Sequence, residues 1–469
     1  MATFTILFYI SALALACVAN QSGVNPGIKA RVTQRGLDFA TEIALGFVDK
    51  AVEDLSLPSF SGDSPVKYNV QNLNIDSFSV GNTRFTTAAP NVITPTIDNG
   101  AVAASADFSA SKTFKVFGFS FTLSESGRLI ASASDLDLSQ RIGLGMDANG
   151  KPTFSVGDCD SHIGNLDVRV EGTKLDSVFN FIIGLFKETL KNELQKRICP
   201  AVKGALLKQA STVTQKFKLT FPFVSGTKVD LGLVCNPEAT GNEFIVSLKG
   251  KCFPSSMPNL AFPFVAPSMP AISSTSKMAC ISVGPYVLNT LLYSMWNLGQ
   301  LEKTFNVDKI GSVGDLSALL PPLAVIGNNP VQIVVRATGA PSVQLTTAGI
   351  GIDVSFEAVI NAVLPDGTLQ HAITASADVA VLAEARIDNG KIAGTIQTLD
   401  VTVTDAGIFP AELFNQLIQA FLPQAILPAV NGITEAGFEI PSLYDFRFSS
   451  ASVAHKQNAL EVCSDFAPH

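Results

Sequence analysis

Two spacings of apolar residues alternate along the chain, and together they predict long helices packed on antiparallel strands. From Ala30 to Leu55, and again from Lys174 to Lys208, apolar side chains recur at helical spacing. Residues 66–156 and 217–252 instead alternate apolar and polar positions between turn dipeptides such as Asn99-Gly100. The pattern predicts an α+β fold in which long helices lie against meandering hairpins.

The second half of the chain repeats the order of the first half. A helix predicted from Val283 to Leu298 is followed by strand-like segments and by a helical stretch from Phe409 to Ala436, where Pro423 and Pro428 indicate a kink or a break. Between the halves, residues 254–270 contain five prolines, which predicts an extended connector. We therefore expect two domains built on one plan.

Composition narrows the classes of function. The 469 residues suffice for two domains, and only 15% are charged while 47% are hydrophobic. Beyond the first 20 residues the best candidate for a membrane span, Val178 to Phe186, has only 9 residues. The apolar excess must therefore lie inside the protein, and an apolar cavity needs more of it than a solid core does. A net charge of −8 argues against nucleic acids and other partners held by positive charge.

The N-terminus has the pattern of a secretory leader. Residues 4–19 are uncharged, apolar or small, and they end in Cys17-Val18-Ala19, which predicts a signal peptide (residues 1–19) cut before Asn20 rather than a buried helix. Cleavage removes Cys17 and leaves six cysteines, which in a secreted, extracellular protein predicts three disulfides. The six are Cys159, Cys199, Cys235, Cys252, Cys280 and Cys463. No Cys-x-x-Cys pair occurs and only four histidines are present, so we expect no metal site.

Two further segments each have two interpretations. An alternating aromatic run favours a strand that faces a core, with an exposed hairpin tip that dips into a lipid surface as the alternative. The run consists of Phe114, Phe117, Phe119 and Phe121. Between Lys187 and Lys218, eight basic residues stand against two glutamates, a net charge of +6 (8 − 2). This excess favours the solvated face of an amphipathic helix over a binding site.

Three stretches of the chain carry a family resemblance. They are Asn25-Pro26-Gly27 running into Gly36-Leu37-Asp38, Cys159-x-Ser161-His162-Ile163 followed by a long helix and Cys199, and the proline-rich residues 254–270. These stretches resemble the opening segment, the disulfide and the linker of the lipid-binding serum glycoproteins. That family includes bactericidal/permeability-increasing protein, lipopolysaccharide-binding protein, phospholipid transfer protein and cholesteryl ester transfer protein.

The resemblance implies a boomerang-like molecule of two elongated antiparallel β-barrels, each wrapped around a long helix and joined by a central sheet. It places the N-terminal barrel at residues 20–216, central-sheet strands at 217–253, the linker at 254–276 and the C-terminal barrel at 277–469. Each barrel is expected to hold lipid acyl chains in an apolar pocket. The candidate pocket residues on the predicted helices are Leu37, Ala40, Ala44, Phe47, Phe179, Ile182, Phe186, Leu190, Val287, Leu291, Leu417 and Phe421.

The resemblance also implies a Cys159–Cys199 disulfide. The other four cysteines allow three pairings. We favour Cys235–Cys252, which would join strand-like segments across a turn at Gly241-Asn242, together with Cys280–Cys463, which would fasten the C-terminal strand.

Catalytic chemistry is not evident in the sequence. No Gly-x-Ser-x-Gly elbow occurs, and Cys159 next to His162 would lack a thiolate if it is disulfide-bonded. The Asp147-Ala148-Asn149-Gly150 segment lacks the spaced carboxylates of a calcium loop and predicts a hairpin turn. We expect no enzyme activity and no cofactor other than bound lipid.

The resulting hypothesis is a secreted protein that binds or transfers phospholipid or another amphipathic lipid, with transient contact to a membrane or lipoprotein surface. The alternative is an antibacterial, innate-immune protein that binds lipopolysaccharide. Antibacterial members of the family carry clustered basic residues at the tip of the first barrel. The corresponding residues 111–118 contain only Lys112 and Lys115, which counts against the alternative.

Overall fold

The computed structural model of the chain contains two compact units. It describes residues 24–44, 52–53, 55, 57–64, 66–172, 176–224, 226–272, 276–306, 329–388, 391–407, 410–412, 415, 438–439 and 446–468. Within them, the first unit consists of residues 31–217 and 236–246, and the second of residues 24–30, 218–235 and 247–468. Among these residues, no helix combines the length and the apolarity needed to cross a membrane.

Strands dominate both units. In chain order those of the first half are β1 Ile28–Thr33, β2 Phe60–Gly62, β3 Lys67–Ser79, β4 Asn82–Ala88, β5 Val92–Val116, β6 Phe119–Met146, β7 Pro152–Ile163 and β8 Leu166–Glu171. Those that follow are β9 Thr220–Pro222, β10 Thr227–Asp230, β11 Glu238–Thr240, β12 Glu243–Leu248, β13 Lys251–Pro254, β14 Ala279–Val283, β15 Glu302–Asn306, β16 Val331–Ala337, β17 Ser342–Thr346, β18 Gly349–Val363, β19 Leu369–Asp388, β20 Lys391–Asp405, β21 Phe438–Glu439, β22 Phe446–Lys456 and β23 Ala459–Pro468.

Three long helical segments accompany the strands: α1 Gln34–Ala44, α2 Asp176–Lys216 and α3 Pro285–Asn297. Pro285 stands at the start of α3, where the missing amide hydrogen costs no hydrogen bond. The prediction of a helix beginning at Ala30 was wrong, because residues 28–33 form β1 and the helix begins at Gln34. The predicted second helix is confirmed and extends beyond Lys208 to Lys216.

A sheet of seven described strands forms the first unit. Its order is β2-β3-β5-β6-β7, with β4 beside β5 and β8 beside β6. The two central strands, β5 and β6, are 25 and 28 residues long, far beyond the usual five or six residues. They form one long antiparallel hairpin whose turn is at Phe117-Gly118.

Helix α2 packs against this sheet through a buried apolar stripe that contacts β7 and β8 most extensively. The stripe repeats every four residues and consists of Phe186, Leu190, Leu194, Ile198, Val202, Leu206 and Ala210, each at most 7% exposed. Because an α-helix turns about 100° per residue, a four-residue repeat drifts by about 40° at each step, or about 240° along the stripe. The buried side therefore winds around the helix, as a strongly twisted sheet requires.

The second unit contains its own sheet of seven described strands, ordered β15-β16-β18-β19-β20-β21 with β17 beside β18. A separate sheet of three strands, ordered β13-β10-β9, packs against α3. Strand β23 pairs with both β14 and β22. Residues 255–272 between β13 and β14 contain no helix or strand. The extended connector between two domains stays a prediction.

Two of the predicted disulfides are present. Cys159 on β7 is bonded to Cys199 on α2, with Cα atoms 5.7 Å apart, and Cys280 on β14 is bonded to Cys463 on β23. The predicted Cys235–Cys252 bond was wrong, because Cys252 is a buried free thiol. Its strand, β13, pairs with β10, so that Cys252 lies opposite Val229 and not opposite Cys235.

Candidate functional site

The end of the β5–β6 hairpin, residues 111–124, carries a cluster of exposed aromatic side chains, and we call it the aromatic tip. The exposed fraction is 98% for Phe117, 71% for Phe119, 58% for Phe121 and 38% for Phe114, and it is 46% for Leu123. Scattered apolar residues are common on protein surfaces, but a contiguous group of this size marks a contact surface. The interpretation of this run as a strand facing a core was therefore wrong, and the exposed hairpin is correct.

The strand register separates the aromatic tip into two faces. Directly opposed residues of an antiparallel pair point to the same side of the sheet. The pairs Phe114 with Phe121 and Lys112 with Leu123 therefore lie on one side, together with Phe119. The opposite side carries polar pairs, Thr113 with Thr122 and Lys115 with Ser120. The tip of the hairpin therefore has an apolar face and a polar face, and both faces are exposed.

The apolar face of the tip continues into the buried inner face of the sheet. No register shift interrupts the β5–β6 pairing between Val102 and Val116, so side chains keep their side along this length. On the side that carries the tip phenylalanines, Glu125 and Gly127 are half-buried, and the apolar residues below the tip are buried. They are Ala104, Ala106, Phe108 and Ala110 on β5 and Leu129, Ala131 and Ala133 on β6, each at most 5% exposed. The same side of the hairpin is thus apolar both in the interior of the first unit and at the exposed tip, and Lys112 and Glu125 lie on it between these two regions.

The turn at the end of the tip holds a bulky residue in an unfavourable backbone conformation. Phe117 and Gly118 have φ angles of 54° and 86°, which is the pattern of a type I′ turn. Glycine tolerates positive φ, whereas an aromatic residue with a Cβ does so at a cost. Because Phe117 is also 98% exposed, its ring gains no packing in return from the described residues. A residue kept against local preference at a surface position indicates a function there.

The charge of the aromatic tip is positive and small. Residues 111–124 contain Lys112 and Lys115 and no acidic residue. The Lys112 ammonium lies 5.3 Å from the centre of the Phe114 ring, a cation–π contact. The tip therefore combines a large apolar surface with two cations, a combination typical of segments that enter the headgroup region of a membrane.

The candidate pocket residues fall into three groups. Leu37, Phe186, Leu190 and Val287 are buried, and Leu291 is half-buried against the cluster formed by Val229, Cys252 and Val287. Ala40 and Ala44 lie in α1 and Phe179 and Ile182 lie in α2, but their side chains are not described. Phe47, Leu417 and Phe421 lie outside the described residues. Contact of these residues with lipid stays a prediction.

Helix α2 has the amphipathic character that its sequence pattern predicted. Along α2, Lys187, Lys196, Lys203 and Lys208 are exposed, while the apolar stripe between them is buried. Arg197 is half-buried, and its Nε donates a 2.7 Å hydrogen bond to Glu193 Oε2. The basic residues thus form the solvated side of an amphipathic helix.

Of the residues considered for catalysis or metal binding, Cys159 and Asp147 have structural roles. Cys159 is disulfide-bonded and has no thiolate, and His162 is exposed. Asp147 closes a turn by accepting hydrogen bonds from the backbone amides of Lys151 and Asn149, and these bonds hold the pKa of its carboxyl below the ordinary value of 3.8. Elsewhere in the described residues, the cluster Cys280, Glu461 and Cys463 has metal-like spacing, but its two sulfurs form a disulfide.

Comparisons with known proteins assign the fold. The model of the LBP / BPI / CETP family, N-terminal domain, matches residues 36–210, and that of the C-terminal domain matches residues 224–467. The chain is 22% identical to the bactericidal permeability-increasing protein of Rattus norvegicus over 97% of this chain and 96% of that protein. It is 23% identical to the lipopolysaccharide-binding protein of Homo sapiens over 92% of each chain. A crystal structure of lipopolysaccharide binding protein aligns with a TM-score of 0.62 at 19% identity, over 95% of this chain and 100% of that chain, which shows a shared fold.

Proposed function

Since the chain belongs to the LBP/BPI/CETP family, we propose that it is a secreted, non-enzymatic protein that takes amphipathic lipid, phospholipid in particular, from a membrane or lipoprotein surface. The observation that carries this proposal is the side of the β5–β6 hairpin that is apolar and buried in the interior of the first unit and again apolar, but exposed, at the aromatic tip. In this proposal the tip enters the lipid surface, and acyl chains move along this side of the hairpin to the interior. Bound lipid is the ligand, and no cofactor is needed.

Acyl chains supply most of the binding free energy in this mechanism. Each methylene group moved from water into an apolar interior contributes about 0.8 kcal/mol, so a chain of about 16 carbons gains on the order of 10 kcal/mol before ordering costs. The buried inner face of β5 and β6 is apolar, with Ala104, Ala106 and Ala131 beside the larger Phe108 and Leu129. In this proposal the acyl chains lie against this face.

Lipopolysaccharide binding is the second candidate function. The name of one relative states it, and the exposed lysines of α2 offer positive charge for an anionic lipid. The aromatic tip argues against strong binding of lipopolysaccharide, because the only charged residues in the tip are two lysines. Electrostatic contact with lipid A phosphates must weaken as salt rises, whereas acyl-chain burial does not.

Lipid extraction from vesicles tests the proposed function. Full-length protein purified from a eukaryotic secretion host is expected to carry phospholipid detectable by mass spectrometry and to extract labelled phospholipid from vesicles. The variant Phe119→Ser/Phe121→Ser is expected to lose most of the extraction rate. The matched control is Phe305→Ser, which removes a phenylalanine that is 49% exposed on β15 of the second unit.

Two results would contradict the proposal. The first is a lipid-free protein that extracts no phospholipid, and the second is equal loss of extraction in the tip variant and in the Phe305 control. Titration with purified lipopolysaccharide at low salt and at about 0.15 M salt tests the second candidate function. If the protein binds lipopolysaccharide through charge, its affinity must fall as salt screens the charges. Turnover of ester substrates would refute the non-enzymatic assignment.

A further inference from the structure

Cys235 forms a disulfide that the two bonds described above do not account for. The chain contains seven cysteines, of which these two bonds use four, while Cys252 is a free thiol. Cys235 is disulfide-bonded as well. Within the chain, Cys17 is then the one cysteine that is left as its partner. Cys17 lies outside the described residues, whereas the surroundings of Cys235 are described.

Cys235 lies close to the segment that leads into β1. It is 2% exposed and follows Val234, whose backbone amide donates a hydrogen bond to the carbonyl of Ser247 on β12. The next carbonyl of β12, that of Leu248, accepts a hydrogen bond from the amide of Gly27. Successive carbonyls of a strand point to opposite sides and neighbouring strands lie about 4.8 Å apart, so Val234 and Gly27 flank β12 about 10 Å from each other.

The chain ahead of Gly27 is long enough to bring Cys17 to Cys235. An extended chain covers about 3.3 Å per residue, so the stretch from position 17 to position 27 can reach about 33 Å, three times the separation at β12. Cys252 cannot take this role, because its thiol is free and it lies opposite Val229. The geometry therefore allows the bond that the cysteine count requires.

The sequence also offers a cleavage site for the leader that keeps Cys17 in the mature chain. Signal peptidase requires small residues at the third and first positions before the cut, typically Ala-x-Ala. Ala14-Leu15-Ala16 has this form exactly where Cys17 follows, whereas Cys17-Val18-Ala19 places a cysteine at the third position. A cut after Ala16 gives a leader of 16 residues, within the usual length of about 15–30.

We infer that the leader is cut between Ala16 and Cys17, and that Cys17, as the first residue of the mature protein, forms a disulfide with Cys235. The predicted cut before Asn20 would discard the partner of Cys235. The inference rests on the secretion in the proposed function and does not depend on lipid binding. The bond fastens the segment ahead of β1 beside β12, where a chain end otherwise frays.

Both covalent steps have the reactants that they need in the secretory compartment. Water hydrolyses the Ala16–Cys17 peptide bond, which leaves a carboxylate on Ala16 and an amine on Cys17. The two thiols then lose two electrons and two protons to the disulfide of a thiol–disulfide oxidoreductase, which is reduced to a dithiol.

Peptide mapping without reduction tests both parts of the inference in one sample. The full-length chain is expressed in a eukaryotic secretion host, and the protein from the medium is digested with trypsin and analysed by mass spectrometry. Trypsin, which cuts after lysine and arginine, separates the three cysteines in question onto peptides 17–29, 229–249 and 252–277. We expect peptide 17–29 linked to peptide 229–249, release of both on reduction, and peptide 252–277 with a free thiol.

Two pairs of variants separate the bond from the cut. In Cys17→Ser the cut is expected at the same bond, and Cys235 is expected to lose its link to the N-terminal peptide. Cys252→Ser is the matched control and is expected to keep that link. Ala16→Lys places a large residue directly before the inferred cut and is expected to abolish it, whereas Ala19→Lys is expected to leave the N-terminus at Cys17.

The results that overturn the inference differ from those that contradict the proposed function. A secreted protein that begins at Asn20, or a link between peptides 229–249 and 252–277, would overturn the inference and leave lipid binding untouched. A covalent dimer that joins Cys17 of one copy to Cys235 of another would overturn the bond within one chain. Absence of the protein from the medium, with the leader still attached in the cell, would contradict secretion and the inferred cut together.

Discussion

Replacement of Phe117 by asparagine should weaken membrane contact and at the same time leave the fold as stable as before, or more stable. Phe117 occupies the first central position of a type I′ turn with φ 54°, followed by Gly118 with φ 86°. Asn-Gly is the preferred pair for this turn, because asparagine tolerates the left-handed conformation better than other residues with a Cβ. The left-handed conformation costs an ordinary residue about 1–2 kcal/mol, and asparagine recovers a part of that cost.

The same substitution removes most of one aromatic side chain from the proposed lipid contact. Phe117 is 98% exposed, so nearly its whole ring is available for burial in a lipid surface. Complete burial of a phenylalanine side chain contributes about 1.5–3 kcal/mol. A loss of about 2 kcal/mol corresponds to about 30-fold weaker partitioning into the membrane.

Two measurements on one variant test this reasoning. Partitioning is measured by sedimentation with phosphatidylcholine vesicles, and stability by chemical denaturation. Phe305→Asn, a surface phenylalanine on β15 of the second unit, serves as the control and should not change partitioning. If Phe117→Asn partitions like the native protein, the aromatic tip is not the contact. If it unfolds at clearly lower denaturant concentration, the argument from backbone conformation is wrong.

Three more predictions concern stability and reactivity. Cys159→Ser removes a bond between residues 40 positions apart and should lower the free energy of unfolding by about 4 kcal/mol, measured by denaturant titration. Leu194→Ala, at a position with no exposure, should lower it by about 2–5 kcal/mol, whereas the neighbouring exposed Lys196→Ala should change it by less than about 0.5 kcal/mol. Burial raises the pKa of the Cys252 thiol from 9.0 to about 12, which lowers its thiolate fraction near pH 8 about 1000-fold. Iodoacetamide should therefore label Cys252 quickly in denaturant and very slowly in the native protein, and equal labelling rates would refute its burial.

Helix α2 shows what local sequence can predict. Apolar residues from Phe186 to Leu206 repeat every four positions, and that repeat already specifies both the helix and its buried side. The N-terminal boundary of α1 was not predicted correctly, because Val32 also fits the helical spacing. Ile28, Ala30 and Val32 also alternate with polar residues, which is a strand pattern. Only pairing with distant strands decides whether these residues form a helix or a strand.

The error in the Cys235–Cys252 pairing has a geometric cause. The prediction assumed one hairpin with its turn at Gly241-Asn242, but in a regular hairpin with this turn Cys235 would lie opposite Leu248 and not opposite Cys252. The observed pairs are Thr240 with Glu243 in β11–β12 and Val229 with Cys252 in β10–β13. Cys252 therefore lies opposite a residue six positions before Cys235, which corresponds to about 20 Å along an extended chain. A disulfide needs Cα atoms within about 7 Å, so a shift of register excludes this pair.

The aromatic tip could not be assigned from periodicity for a different reason. Alternation shows which side chains share a face of a strand, but it is the same whether that face is covered or open. On β5 the side that carries Ala104 and Ala110 is buried, and the same side at Phe114 is exposed, although the alternation does not change between them. The size of the side chain does not separate the two positions either, because Phe108 on the same side is buried at 3% exposure whereas Phe114 is 38% exposed. What differs is whether other parts of the protein cover the face at each position. That depends on packing between segments far apart in sequence, which the alternation within one strand does not report.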